Sequence, residues 1–172
     1  MKKLLFITAL LAMGTMAFGN PNVGEKANAN VEVKARIVDG NFIISDIDGK
    51  PIVLDFGDIY AGQKQSAVTY VDYKVTSKEA AKTDPIKFDI TLGGNGSADK
   101  QTDVIISTDK GGTNGSMKAV LGLSEYKGII EVDKTEYRGR INGTIANTEF
   151  STGKPVGTYL GNTKLEITVS NN

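Results

Sequence analysis

Any chemistry in this chain would have to come from carboxylates. Its 172 residues include 20 Asp and Glu but no histidine and no cysteine. The commonest general base, the thiolate nucleophile and the usual transition-metal ligands are therefore missing. The acidic residues are spread through strand and turn positions, with no paired spacing that would set one as acid and another as base. The expectation is a protein that is not an enzyme, with no catalytic residues, no cofactor and no metal. Asp46-Ile47-Asp48-Gly49 resembles the start of a calcium loop. The alternating ligands and terminal bidentate Glu of an EF-hand do not follow, and an Asp-Gly hairpin turn accounts for the segment. Gly93-Gly94-Asn95-Gly96 follows a strand but opens no helix, which argues against a phosphate cradle. The sequons at Asn95, Asn114 and Asn142 fit glycan acceptors in a eukaryotic secretory route. Turns whose positive-φ positions favour Asn-Gly are the plainer account of them.

The segments that hold these residues read as strands. Residues 27 to 37 alternate without error: Ala27, Ala29, Val31, Val33, Ala35 and Ile37 are apolar, and Asn28, Asn30, Glu32, Lys34 and Arg36 are polar. A period of two puts one set on each face, over about twice the usual strand length of roughly 5–6 residues. Further strand patterns lie at Phe42 to Ile47, at Ile52 to Phe56 ending at Gly57, and around Val68, Tyr70, Tyr73 and Val75. Ile86, Phe88, Ile90 and Leu92 alternate with polar residues; Val104 to Ile106, residues 117–123 and 128–132, and Tyr137, Gly139 and Ile141 follow. The last strand carries Leu165, Ile167 and Val169. Turn residues every ten or so positions and 20 glycines complete the pattern of an all-β sandwich. Residues 77–83, SKEAAKT, are expected to be a loop with one helical turn at most, ended by Pro85.

The start of the chain reads as processing information. Lys2 and Lys3 form a basic region, residues 4–13 an apolar one, and Ala17-Phe18-Gly19 a small-x-small cleavage site. Together they make a secretory signal over residues 1–19, with cleavage after Ala17 as the alternative. No segment is apolar enough over about 20 residues to span a bilayer as a helix. About 153 residues remain after cleavage, enough for one domain. Losing two lysines leaves 18 basic and 20 acidic residues, a net charge of about −2 that makes no case for nucleic acid. With no disulfide, stability must come from burial and strand pairing, including pairing with a partner.

Several segments together resemble a family. The strand Asn30-Val31-Glu32-Val33-Lys34-Ala35-Arg36-Ile37 is similar to the start of colonisation-factor type major pilins assembled by chaperone and usher. Leu54-Asp55-Phe56-Gly57 and Pro155-Val156-Gly157-Thr158-Tyr159, before the strand at 163–169, resemble the "Leu-x-Phe-Gly" strand end and "Pro-x-Gly-x-Tyr" turn of spore coat protein U-like domains. Tyr137-Arg138-Gly139-Arg140-Ile141 stands at a matching distance before that turn. The resemblance implies an immunoglobulin-like sandwich, incomplete and completed by donor-strand exchange. Residues 20–38 would be the N-terminal extension and 39–172 the pilin-like domain. Ala29, Val31, Val33, Ala35 and Ile37 would enter a groove, and Leu165, Ile167 and Val169 would form one wall of it. The implied partners are further copies in a head-to-tail filament, a periplasmic chaperone, an outer-membrane usher and a host surface receptor. The implied location is the periplasm in transit and then the cell surface.

Two alternatives stay open. Residues 27 to 37 also fit the first strand of a complete sandwich, which would make the chain a monomeric secreted module that binds carbohydrate or protein through loops such as 93–102 and 109–116. Arg36, Arg138 and Arg140 are candidates to contact a surface sugar or acidic receptor, with solvated outer-face positions as the plainer account.

Overall fold

The computed structural model describes residues 26–35, 42–81, 83–93, 101–108, 115–150 and 153–170. The signal segment and its cleavage site, Arg36, Ile37, and the loop residues 94–100 and 109–114 with Asn95 and Asn114 lie outside them. Ten strands follow in order: β1 (Lys26–Ala35), β2 (Phe42–Asp46), β3 (Val53–Tyr60), β4 (Ala67–Ser77), β5 (Ile86–Leu92), β6 (Gln101–Ser107), β7 (Ser116–Leu123), β8 (Lys127–Ile130), β9 (Glu136–Ile145) and β10 (Thr158–Ser170). A single 3-10 turn, Asn147–Glu149, is the one helical element among the described residues.

The ladders form two layers. One runs β2-β4-β9-β7-β6, and the other runs β3-β1-β10-β5-β8. They are joined by one register pair, Leu160 with Ser107. Every strand ladder is antiparallel except β1 with β10. Inner faces meet across the sandwich. The Phe88 ring of β5 stands edge-on to Tyr137 of β9, centroids 5.3 Å apart. A Cβ on Gly143 of β9 would fall 2.4 Å from a Leu54 methyl of β3. The core between the layers includes Leu54, Tyr73, Ile90, Ile106, Leu121, Ile141 and Leu165, all fully buried. Each such Leu or Ile contributes about 1.5–3 kcal/mol by leaving water. The chain is an all-β sandwich.

Local chemistry explains where the strands depart from their sequence pattern. β3 does not stop at Gly57 but runs on to Tyr60. Gly57 adopts φ 66°, and its N–H donates to Asp55 Oδ1 at 2.8 Å. A positive-φ glycine inside a ladder makes a bulge rather than an end. Asp46 to Lys50 closes as a turn: Asp46 Oδ1 accepts the Lys50 N–H at 2.6 Å, and Gly49 takes φ 85°. The segment 77–83, expected as a loop with one helical turn at most, carries no helical turn among its described residues. Ser77 N–H donates to the Thr135 carbonyl, and the Ala81 carbonyl accepts from Asp133 N–H at 2.9 Å. Ala81 is buried and bridges Val132 instead. Tertiary partners thus take the backbone groups that a helical turn would have used.

Candidate functional site

The feature that separates this sandwich from a plain one is the slot occupied by β1. Its first wall is β10. Tyr159 fixes where that strand begins: the side chain is fully buried, and its hydroxyl donates to the Pro155 carbonyl at 2.8 Å. Burial pushes the Tyr159 hydroxyl pKa up. Lys154 Nζ donates to the Ser116 carbonyl, tying the same turn to the opposite layer. From there β10 alternates, burying Tyr159, Gly161, Leu165 and Ile167 and leaving Thr158, Leu160 and Asn162 exposed. At Gly161 a Cβ would come within 2.7 Å of the Ile105 carbonyl oxygen. Glycine is what lets the β6 backbone approach β10 here.

The second wall is β3, which buries Leu54 and Ile59. Its register with β1 shifts between Asn28, opposite Asp58, and Asn30, opposite Asp55. Phe56 and Gly57 therefore share the interval facing Ala29, and the bulge of the Leu54-Asp55-Phe56-Gly57 segment is a feature of this slot.

β1 lies between these walls, parallel to β10 and antiparallel to β3. Ala29, Val31, Val33 and Ala35 stand opposite Tyr159, Gly161, Thr163 and Leu165. Ala27 and Val31 stand opposite Ile59 and Leu54. These partners are buried, apart from the half-buried Thr163. Residues opposite one another in a ladder share a face, so the register sets the apolar positions of β1 opposite this row of partners. Among the described residues, β3 has no ladder partner except β1.

The four described donor positions thus share one ladder, while the three candidates for the groove wall divide. Leu165 pairs with Ala35, the last residue of β1. Ile167 and Val169 lie beyond it and pair with Ile90 and Phe88 of β5, and Val169 is half exposed. Among the described residues β1 is faced by Tyr159 to Leu165 together with Leu54 and Ile59 of β3, and Ile37, the fifth donor candidate, lies outside them. The alternation of buried and exposed positions along β10 was a signal for its part, but Gly161 and Asn162 interrupt it. The β3 wall carries no such local signal.

The outer face of the other layer holds the arginine candidates. Arg140 makes two hydrogen bonds to Asp72, at 2.5 and 3.0 Å, and stacks 4.1 Å above the Tyr70 ring. The Arg140 hydrogen bond is the main reason the Asp72 carboxyl lies below its ordinary pKa. Arg138 pairs with Glu136 at 2.6 Å. Asn142 donates to Ser124 Oγ at 3.2 Å. Among the described residues no three His, Cys, Asp or Glu lie close enough together to hold a metal ion. Compared with known proteins, the chain matches no family model and no curated protein.

Proposed function

We propose that this protein is an exported, pilin-like structural subunit that assembles by placing β1 in the β3–β10 slot of a neighbouring copy. The observation that carries the reading is the dependence of β3 on β1: the strand nearest the N-terminus holds two otherwise separate strands in one layer. An empty slot would leave two rows of backbone N–H and C=O groups unpaired beside an apolar floor. That vacancy suits an extended strand with alternating apolar residues, which adds affinity through the backbone and specificity through every second side chain. A head-to-tail contact of this kind does not close on itself and grows a filament. The resemblance to colonisation-factor pilins and coat-type domains fits the same reading. It brings with it an immunoglobulin-like topology, a periplasmic chaperone, an outer-membrane usher and a cell-surface destination.

The test is to remove residues 20–38 from the mature chain. Electron microscopy is expected to show filaments for the intact chain and none for the truncated one. Adding a peptide of residues 26–37 in trans is expected to restore a folded, non-polymerising monomer. Filaments from the truncated chain would sink the proposal.

A second reading, a monomeric binding module, is favoured by the Tyr70–Arg140–Asp72 cluster. It offers an exposed ring held in place by a guanidinium that is itself fixed by two hydrogen bonds. Glycan-array binding that is lost in Tyr70→Ala, by a chain that stays monomeric, would support this reading over assembly.

A further inference from the structure

In the free chain the slot is not empty. β1 reaches it from the same molecule, with eight register pairs to β10 and six to β3. We infer that the subunit is self-capped: β1 fills its own β3–β10 slot, and assembly proceeds by replacing this strand with β1 of a second copy. The inference rests on the strand-donation reading and adds to it a resting state and the occupant that must leave.

The energetics follow from the identity of the two donors. The strand in the slot has the same sequence whether it comes from the chain itself or from a neighbour. Seated in the same register, it makes the same two ladders, so their free energies cancel between the capped and exchanged states. This is why swapping an identical element is a low-cost route to association. What remains is the tether. Only residues 36–41 separate the end of β1 from the start of β2. A short linker holds its own strand at an effective concentration on the order of millimolar. At micromolar protein the cis strand therefore wins by about a hundredfold or more. Exchange becomes competitive only when neighbours are locally concentrated or the tether is strained. The route is also slow, because β1 must give up both ladders before a replacement can enter.

The absence of cysteine allows a clean test on the full mature chain. Glu32 and Val53 are direct register partners on antiparallel strands, and Val53 is exposed. Opposite residues of this kind place their Cβ atoms about 4.5–5.5 Å apart, within reach of a disulfide after small adjustment. The variant Glu32→Cys/Val53→Cys is oxidised at about 1 μM and at assembling concentration, then run on a non-reducing gel. The expected result is a cross-linked monomer at the low concentration and a ladder of covalent multimers, collapsing on reduction, at the high one. Intermolecular products at every dilution would overturn the self-cap and leave strand donation standing. Intramolecular products at every concentration would leave the cap standing and overturn exchange, and with it the assembly reading. No cross-link under either condition would overturn both. Because a single pair can disturb folding, Lys26→Cys/Tyr60→Cys, at the opposite end of the same ladder, is read in parallel. Glu32→Cys alone is the control and is expected to give no cross-linked monomer.

Discussion

β4 and β1 are both flanked on two sides, yet they are attached to the rest of the chain differently. β4 lies between β2 and β9, and β9 is held on its far side by β7. Losing β4 would leave β9 with its β7 ladder and β2 with none, and losing β1 would likewise leave β10 with its β5 ladder and β3 with none among the described residues. The outer face of the β4–β9 pair adds reinforcement of its own, with Arg140 bonded twice to Asp72 and stacked on Tyr70. Such exposed contacts add little free energy, but they help fix register. The difference lies in attachment: β4 is joined to a described strand at each end, β3 and β5, whereas β1 is the first described strand and is joined to one, β2. A strand attached at one end can leave its slot without drawing two others with it, which a strand-donating subunit requires.

The largest expected effect that would break this comparison is a proline in each kind of strand. Val31→Pro removes a ladder donor from the middle of a strand with two neighbours. Ile43→Pro falls in β2, which has one neighbour. Val31→Pro is expected to cost about 3 kcal/mol or more. It should raise amide exchange in β3 and in the first half of β10 by at least about a hundredfold while β4 and β9 stay protected. Equal exchange across both layers would mean that they open as one unit and that the contrast is wrong.

A smaller effect sharpens where the slot ends. Leu165, fully buried opposite Ala35, and Val169, half exposed opposite Phe88, sit on the same strand four residues apart. Leu165→Ala is expected to lower stability by about 2–5 kcal/mol through the cavity it leaves. Val169→Ala is expected to cost under about 1 kcal/mol. Urea midpoints measure both. Comparable losses would extend the structurally important wall beyond the last residue of β1.

Much of this arrangement could be read locally, and what could not be has physical reasons. Period-two alternation marked residues 27–37 and Ile86 to Leu92 as strands because a half-buried strand writes its face into every second residue. β10 was expected only from residue 163. Its first turn of alternation contains Gly161 and Asn162, and the need for Gly161 comes from the Ile105 carbonyl of another strand. Gly57 read as a strand end because positive φ usually terminates a strand, whereas here Asp55 captures its N–H and turns it into a bulge. The parallel pairing of Ala29 with Tyr159 joins residues far apart in the chain. No local periodicity encodes such a partner, so the β3–β10 slot emerged only from the ladders.

The smallest effect tests whether the layer that holds β4 and β9 is sealed independently of β1. Tyr73 of β4 is fully buried, and its hydroxyl interacts with that of Tyr137 while neither makes a hydrogen bond of ordinary geometry. Desolvation, reinforced by Tyr137 and Glu125, raises the Tyr73 hydroxyl well above the ordinary tyrosine value of 10.0. Tyr137 is raised as well, again first by desolvation. The native state therefore keeps these protons at pH values where the unfolded chain has released them. Binding fewer protons when unfolded makes stability fall as pH rises, so it is intact below about pH 10 and declines above it. Tyr73→Phe removes a buried hydroxyl without a hydrogen bond of ordinary geometry and is expected to raise stability at pH 7 by about 1 kcal/mol. It should also flatten the alkaline decline and leave cross-linking between Glu32→Cys and Val53→Cys unchanged. A loss of stability would mean that the hydroxyl is satisfied by bound water. A change in the cross-linking would mean that the β4–β9 layer and the β1 slot are coupled, and that strand release cannot be confined to one side of the sandwich.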